Sequence, residues 1–234
     1  MEIVPLGDSA LLVRLGDSID ERTHARVRAA TQALETGRLP AVTEVVPAYT
    51  SVTLFYQPVL AVAAGAPEDG IVDWLGARVR ERLEKLPARP AAPAGRTWEV
   101  PICYAPPHAP DLAEVAQATG LAPDEVTRRH AGAEYLVYLI GFAPGFPYMG
   151  GLPAALARPR RASPRARVAA GSVGIIGEQC CIYPVDTPGG WNLIGRTPLR
   201  LFRPEDERPS LLRAGDRVKF RAITAEEFAG WGQT

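Results

Sequence analysis

The sequence of 234 residues has no apolar run long enough to cross a membrane, and it has no excess of charge of either sign. A membrane helix needs about 18 or more consecutive apolar residues. The 26 basic and 26 acidic residues cancel, so electrostatics give no reason to expect a nucleic acid or an anionic membrane as partner. The N-terminus lacks a basic segment followed by an apolar one, so no secretory signal is predicted.

Cysteine is scarce as well. The chain has Cys103, Cys180 and Cys181, and an odd number with two of them adjacent favours a reducing compartment over a disulfide framework. Neighbouring strand residues point to opposite faces, and no CxxC pattern or nearby histidine completes a ligand set, so no metal site is predicted. We therefore expect a cytoplasmic protein. Hydrophobic residues at 47% and charged residues at 22% are typical of a globular fold.

The apolar pattern of residues 1–86 predicts a small unit with the order strand, helix, two strands, helix. Apolar residues three and four apart at Val27, Ala30 and Leu34 predict the buried side of the first helix, with Asp20 as its N-cap. The second helix is predicted from apolar residues at Ile71, Leu75, Val79, Leu83 and Leu86. This order is typical of a two-layer α/β sandwich, in which two helices lie on one antiparallel sheet.

A proline-rich stretch separates this unit from the rest of the chain. Residues 87–96 contain three prolines and a glycine without an apolar period, so they are predicted to form an interdomain linker. Residues 97–234 begin with a predicted strand and two short helices, and continue as short apolar segments between glycines and prolines. Many short strands separated by turn residues predict a closed β-barrel. The expected class is therefore α+β, with an N-terminal sandwich and a C-terminal barrel.

Residues 141–153 are unusually rich in residues that shape a loop. They contain four glycines, three prolines and three aromatic residues. Prolines stiffen the backbone and glycines permit positive φ angles, so a rigid loop is predicted rather than a regular element. Such a loop on a barrel is a plausible side of a small-molecule pocket. The alternative is that Phe142 and Phe146 fill one end of the barrel.

Residues 170–177 hold three glycines at a spacing of three. The sequence predicts exposed backbone N–H groups here, which can hold a carboxylate or a phosphate. This is not a Walker A loop, because the chain contains no Gly-Lys-Ser or Gly-Lys-Thr. Near a predicted tight turn at Pro188, Asn192 supplies an amide and Arg196 a guanidinium. Arg196 either binds an anion or forms a structural ion pair.

Three further side chains are candidates for function. His130 lies at the end of a predicted helix, just before a predicted apolar strand at residues 134–140. It is a candidate general acid or base, or a hydrogen-bond partner of a substrate; the alternative is a helix C-terminal cap stabilised by the helix dipole. Tyr148 and Tyr183 have polar tips on glycine- and proline-rich segments, which suits ligand binding, whereas Trp191 is expected to serve packing.

The run IGFAPGFPYMGGLP at residues 140–153 resembles the signature of the family formed by KipI and the B-type subunits of 5-oxoprolinase. RARV at 165–168, AGSVG at 170–174, IYP at 182–184 and PGGWNLIGRTP at 188–198 resemble the same family. This family is also described as allophanate hydrolase subunit 1, and it forms half of the carboxyltransferase region of urea carboxylase. The resemblance implies a small N-terminal α+β domain followed by a C-terminal cyclophilin-like β-barrel.

The resemblance also implies a function that needs other proteins. It points to an ATP-dependent 5-oxoprolinase, which opens 5-oxo-L-proline to L-glutamate in a complex with a C-type and an A-type subunit of that enzyme. The C-type partner itself contains cyclophilin-like barrels, and the working site is expected between it and this chain. One alternative is a KipI-like inhibitor of a sensor histidine kinase. Another is a carboxyltransferase-like half of a urea- or allophanate-processing enzyme, whose biotin would arrive on another protein.

The candidates for the working site fall into two groups. The expected catalytic residues are His130, Tyr148 and Gln179. The expected substrate-binding residues are Arg167, Ser172, Tyr183, Asn192 and Arg196. The sequence also departs from the family pattern, which has proline where Ala169 stands and a Thr-Gly pair where Cys180 and Cys181 stand. Cysteine in place of glycine at position 181 removes backbone freedom in what is expected to be a loop.

Overall fold

The computed structural model describes residues 1–37, 39–87, 90 and 95–232. By its internal contacts the chain divides into two compact units, Met1–Pro93 and Ala94–Thr234. Most of the predicted linker, namely residues 88, 89 and 91–94, lies outside the described residues. Within the described ranges, no helix combines the length and the apolar character that crossing a membrane requires.

The N-terminal unit packs helices against one face of an antiparallel sheet. Its elements are β1 (Glu2–Pro5), β2 (Ala10–Arg14), α1 (Glu21–Thr36), β3 (Val42–Pro47), β4 (Ser51–Tyr56), α2 (Pro58–Ala63) and α3 (Ile71–Glu84). The strands pair in the order β1-β2-β4-β3, and every pair is antiparallel. The inward side chains of β2 and β4 form one core with the buried sides of α1 and α3. The predicted sandwich is confirmed.

Local sequence accounts for the first helix and fails for two shorter elements. The Asp20 carboxylate accepts a hydrogen bond from the Thr23 N–H at 2.7 Å, and it thereby satisfies a free donor at the start of α1. Val27 and Leu34, on the predicted side of α1, are each 1% exposed. The sequence missed β1 and α2, because four and six residues are too few to show a periodicity.

The C-terminal unit is dominated by a closed barrel. Its elements are β5 (Thr97–Cys103), α4 (Leu112–Thr119), α5 (Pro123–Ala131), β6 (Glu134–Ile140), β7 (Pro147–Gly150), a 3-10 helix (Ala154–Leu156), β8 (Arg165–Val168), β9 (Ser172–Ile176), β10 (Gln179–Ile182), β11 (Thr187–Gly189), β12 (Asn192–Arg196), β13 (Arg217–Ile223) and α6 (Ala225–Ala229). Seven strands close in the order β10-β7-β6-β13-β5-β12-β9, and only β13 and β5 run parallel. The predicted α+β class with a C-terminal barrel is confirmed.

Side chains alternate between the inside and the outside of this barrel. On β10, Cys180 and Ile182 belong to the interior core, whereas Cys181 and Tyr183, the residue after the strand, belong to a second cluster. The alternation follows from the two-residue period of a strand. The second cluster therefore lies on the outer face of the barrel, where it also contains Val168 of β8. We call it the outer cluster; it consists of Phe146, Val168, Cys181, Tyr183, Trp191 and Leu193.

The structure corrects the expectation for residues 170–177. Ser172–Ile176 is strand β9, paired with β10 on one side and with β12 on the other, so its backbone donors are engaged in the barrel. Val173 and Ile175 are fully buried inside. The prediction of an anion-binding loop from the glycine spacing is wrong. Burial of alternate side chains in the barrel interior stabilises a strand here, although glycine also permits other backbone conformations.

The expectation of a loop at the adjacent cysteines is wrong as well. Cys180 and Cys181 lie in β10, and Cys181 pairs with Gly174 of β9. A Cβ atom on Gly174 would lie 3.2 Å from the Cys181 Sγ atom and 2.9 Å from the Trp191 Cβ atom. The missing side chain at Gly174 thus leaves the space that Cys181 and Trp191 occupy. The cysteine is accommodated across the strand pair and needs no special backbone conformation.

Candidate functional site

The outer cluster borders an open cavity on the barrel surface. The cavity has a volume of about 390 Å³. We call it the aromatic pocket; it is lined by Phe142, Phe146, Tyr148, Arg160, Pro164, Tyr183, Pro188, Gly189, Gly190 and Trp191. This size and a mainly aromatic lining with a few polar groups are typical of small-molecule sites. The pocket combines residues of the loop before β7, the segment before β8, and the turn between β11 and β12.

The rigid loop predicted for residues 141–153 does not extend over the whole range, because Pro147–Gly150 is strand β7, paired on both sides in the barrel. The loop before β7, together with Tyr148 of the strand, supplies the aromatic side of the pocket. Phe146 is 1% exposed, and its ring centroid lies 4.8 Å from that of Tyr148 and 5.2 Å from that of Tyr183. Phe142 stands at the rim, 66% exposed, with a positive φ of 66°. Positive φ is uncommon for a bulky residue, and such strain is concentrated at functional sites. The first sequence alternative therefore applies to both residues: Phe142 and Phe146 line the pocket, and Phe146 also packs in the outer cluster rather than in one end of the barrel.

Two glycines let polar side chains lie close to the backbone of the pocket. A Cβ atom on Gly189 would lie 2.4 Å from the Tyr183 hydroxyl oxygen, and one on Gly190 would lie 2.8 Å from the Arg160 Nε atom. Neither position tolerates a side chain without moving its neighbour. The Gly-Gly pair before Trp191 therefore sets the positions of Tyr183 and Arg160.

Arg160 belongs to an arginine-rich segment, residues 158–167, in which most neighbours have acidic partners. Arg161 and Arg165 both contact the Asp111 carboxylate, at 3.1 Å and 2.5 Å, and the Asp111 side chain is only 3% exposed. Arg167 pairs with Asp186 at 2.6 Å. Among the described residues, no carboxylate lies within ion-pair distance of Arg160 and no hydrogen bond engages its side chain. Its positive charge faces the pocket uncompensated.

The tyrosines of the pocket are hydrogen-bond donors rather than bases. Burial raises the pKa of Tyr148 and of Tyr183 above the ordinary tyrosine value, and the neighbouring Cys181 adds to the effect. The Arg160 guanidinium acts in the opposite direction on the pKa of both phenols, without reversing the increase. Both phenols therefore keep their protons at neutral pH. In the described structure no carboxylate, imidazole or thiol lines the pocket, so a proton acceptor must come from elsewhere.

The pocket contains two of the eight predicted site residues, Tyr148 and Tyr183. Asn192 is buried next to it and donates from Nδ2 to the Pro159 carbonyl at 3.0 Å and to the Ile175 carbonyl at 3.2 Å. It thus fastens the backbone beside Arg160 to the barrel. Gln179 opens β10, half-buried, and does not line the pocket.

The predicted arginines lie away from the pocket. The side chain of Arg167 is 80% exposed, and its guanidinium donates twice to the Asp186 carboxylate, at 2.8 Å and 2.6 Å. Arg196 pairs across β9 and β12 with Ser172, and its Nε donates to the Ala170 carbonyl at 2.8 Å. None of these side chains lines the aromatic pocket. The structural ion pair considered for Arg196 is formed by Arg167 instead, whereas Arg196 donates to a backbone carbonyl.

His130 lies inside the barrel, on the other side of β10 from the pocket. It is completely buried, with Nδ1 2.7 Å from the Tyr104 hydroxyl oxygen and Nε2 3.4 Å from the Cys180 Sγ atom. Its ring stacks on Phe220 at 4.7 Å between centroids. Burial lowers the pKa of His130 from 6.5 to about 3, so the imidazole is neutral. A neutral ring without solvent contact gains nothing from the helix dipole, and its partners make it part of the core.

Arg160 is the pocket residue that the sequence did not single out. Five arginines stand at positions 158–167, and nothing local distinguishes Arg160, which lines the pocket without an acidic partner, from the other four. Its neighbours find their acids at Asp111 and Asp186, which are distant in the sequence. Trp191, expected to serve packing, both packs in the outer cluster and lines the pocket. The Gly-Gly-Trp string was the available signal for this region.

Comparison with known proteins identifies relatives along most of the chain. Residues 1–212 match the family described as carboxyltransferase domain, subdomain C and D. The B subunit of 5-oxoprolinase from Bacillus subtilis is 45% identical over 230 residues, which are 97% of this chain and 95% of that protein. The B subunit of 5-oxoprolinase from Escherichia coli O157:H7 is 39% identical over 215 residues, 92% of this chain and 93% of that protein.

Solved structures share the architecture. A conserved uncharacterized protein from Pyrococcus horikoshii is 39% identical and matches 97% of this chain and 100% of its own, with a TM-score of 0.55. The urea carboxylase of Kluyveromyces lactis has a TM-score of 0.72 at 19% identity, over 97% of this chain and 22% of that one. The second likeness concerns the fold alone.

Proposed function

Because this chain belongs to the family of 5-oxoprolinase B subunits, we propose that its aromatic pocket forms one side of the substrate site in an assembled 5-oxoprolinase. The chain has the role of a 5-oxoprolinase subunit. The reaction proposed for the complex opens the lactam ring of 5-oxo-L-proline to give L-glutamate. The observation that supports this pocket as the site is its combination of aromatic faces, protonated tyrosines and an uncompensated arginine.

A partner has to complete the site. Opening a resonance-stabilised lactam needs a proton acceptor and a positioned water or other nucleophile. The described lining offers binding groups without a carboxylate, imidazole or thiol, and His130 is sealed inside the barrel. We therefore propose that the catalytic acid–base groups belong to the partners, namely a C-type protein with cyclophilin-like barrels and an A-type protein. The open side of the pocket, bordered by Phe142, is where such groups would approach.

ATP, which the resemblance implies, does not fit the described residues of this chain. Phosphate groups are commonly held by free backbone N–H groups at a glycine-rich turn or helix start. The glycine-rich candidate, residues 170–177, contains the paired barrel strand β9, and the chain has no Gly-Lys-Ser or Gly-Lys-Thr. We therefore propose that ATP binds to the partner proteins.

The test is activity of the reconstituted complex. The chain is co-expressed with the A-type and C-type partners, and 5-oxoproline-dependent release of ADP and glutamate is measured for the complex and for each protein alone. Activity in the complex and none in this chain alone is the expected result. Turnover by the isolated chain would overturn the shared site. An assembled but inactive complex would overturn the 5-oxoprolinase assignment and favour a role as a protein-binding inhibitor.

A further inference from the structure

We propose that Arg160 binds the carboxylate of the substrate and thereby restricts the aromatic pocket to lactams that carry one. This inference rests on the proposed function of the pocket. A guanidinium binds carboxylates through charge-assisted, often bidentate hydrogen bonds. Arg160 is the basic residue that lines the pocket, and its charge has no acidic partner in the described part of the chain. An unpaired positive charge beside aromatic rings suits a ligand that has a negative charge and a small planar ring.

The backbone around Arg160 is fixed on both sides, which makes it a positioned group. The carbonyl of Pro159 accepts a hydrogen bond from Asn192 Nδ2 at 3.0 Å, and the N–H of Arg161 donates to the Gly190 carbonyl at 2.9 Å. The side chain then passes over Gly190, where a Cβ atom would collide with its Nε atom. Fixing the chain in this way reduces the conformational entropy lost when a ligand binds.

The other arginines of the segment do not line the pocket. Arg158 also has no acidic partner among the described residues, but its Nε atom is buried and its side chain is not part of the pocket lining. Arg161 and Arg165 share Asp111, whose other carboxylate oxygen accepts the Leu193 N–H at 2.6 Å, so both are bound to the barrel. Arg167 is paired with Asp186 outside the pocket. A carboxylate that enters the pocket therefore meets one available guanidinium. Within this segment, Arg161, Arg165 and Arg167 therefore stabilise the fold, whereas Arg160 is available to bind a ligand.

The rest of the pocket suits the uncharged part of such a substrate. Trp191 and Tyr148 have ring centroids 6.1 Å apart and present aromatic faces to a small ring. The protonated phenol of Tyr183 lies against Gly189, on the same turn that supports Arg160. A lactam whose carboxylate contacts Arg160 would therefore place its amide toward the tyrosines and the open side. Substrates without a carboxylate would leave Arg160 unpaired and lose that interaction.

The inference is tested by comparing 5-oxoproline with its neutral amide, 5-oxoprolinamide, in the assembled complex. The KM, or the inhibition constant if the amide is not turned over, is measured for wild type, Arg160→Ala, Arg160→Lys and the matched control Arg167→Ala. In wild type the amide should bind at least about tenfold more weakly than the acid. Arg160→Ala should weaken binding of the acid by a similar factor and leave the amide unchanged. Arg160→Lys should restore part of the preference.

The outcomes separate this inference from the proposed function. An equal effect of Arg160→Ala on acid and amide, or no effect on either, would overturn the role of Arg160 while leaving the 5-oxoprolinase assignment intact. Absence of 5-oxoproline turnover in the wild-type complex would instead overturn the assignment. Size-exclusion chromatography and thermal unfolding of each variant show that assembly and folding are preserved, so a lost preference cannot be attributed to misfolding.

Discussion

The two sides of strand β10 use polar groups in opposite ways. On the inner side, His130 contacts Tyr104 and Cys180, and all three side chains are buried. On the outer side, Tyr183 and Arg160 border an open pocket, and Arg160 has no acidic partner within the described ranges. Buried polar groups stabilise a fold only when their partners are present. An exposed polar group held in place without a partner is instead available to a ligand.

The two adjacent cysteines lie on opposite sides of β10, and both are fully buried. Burial raises the pKa of both thiols, so neither is a thiolate at neutral pH. Cys180 approaches His130 inside the barrel, and Cys181 packs against Gly174 in the outer cluster. Both act as small core residues. The inner side is therefore expected to contribute stability, and the outer side recognition.

The largest expected effect is on the inner side. His130→Ala should lower the free energy of unfolding by about 4 kcal/mol, because it leaves a cavity against Phe220 and removes the partner of the Tyr104 hydroxyl. Urea unfolding of the full chain measures the change. Complexes that still assemble with the His130→Ala variant should have unchanged activity. Loss of activity with normal stability would restore His130 as a catalytic residue.

A smaller loss of stability is expected when the ion pairs that hold the arginine-rich segment to Asp111 are removed. Asp111→Ala removes the buried partner of Arg161 and Arg165 and should cost about 3 kcal/mol. Since the same segment carries Arg160, the KM for 5-oxoproline should also rise. Unfolding and kinetics of one variant therefore measure both effects. A stable variant with unchanged KM would show that the segment is positioned by other contacts.

The pH dependence of stability should report the burial of His130. Its folded pKa of about 3 lies below its ordinary value of 6.5, so between these values the unfolded chain binds more protons than the folded one. Stability should therefore fall with falling pH in this window, by up to about 1.4 kcal/mol per pH unit from this residue. Urea unfolding at pH 7, 6 and 5 is compared for wild type and His130→Phe. An equal slope in both proteins would contradict the assignment.

The smallest effect is expected for Arg167, which the sequence selected as a substrate-binding residue. Its pair with Asp186 is largely exposed, and exposed pairs contribute less than about 1 kcal/mol. Arg167→Ala should therefore change neither stability nor KM by a large amount. A rise of KM for 5-oxoproline by about tenfold, or about 1.4 kcal/mol of binding free energy, would return Arg167 to the binding site and weaken the contrast with Arg160.

Local pattern predicted the longer elements, but it missed β1 and α2, predicted a loop where β9 lies and did not identify Arg160. The stripe at Leu75 and Val79 and the cap at Asp20 follow from interactions within a few residues, so the sequence predicts them. The burial of His130 could have been predicted, because Val126 lies four residues earlier on the same side of α5 and both residues are buried. For residues 170–177, the alternation of Val173 and Ile175 indicates a strand, and the glycine spacing that predicted a loop was the weaker signal.

Local sequence could not show that Arg160 is the arginine that lines the pocket without an acidic partner. Which members of residues 158–167 are neutralised depends on Asp111 and Asp186, and those contacts exist only after the barrel closes. The position of Tyr183 likewise depends on Gly189 across a turn. Three of the strings that carry the family resemblance, at residues 140–153, 182–184 and 188–198, contribute side chains to the pocket, whereas Arg160 lies outside them and follows only from the fold.

The aromatic pocket is tested as the substrate site by a crystal structure of the assembled complex with 5-oxoproline bound. We expect the ligand in the aromatic pocket, with its carboxylate about 2.8 Å from the Arg160 guanidinium and its ring beside Trp191 and Tyr148. Ligand density elsewhere, for example against Arg196 on another part of the barrel, would contradict it.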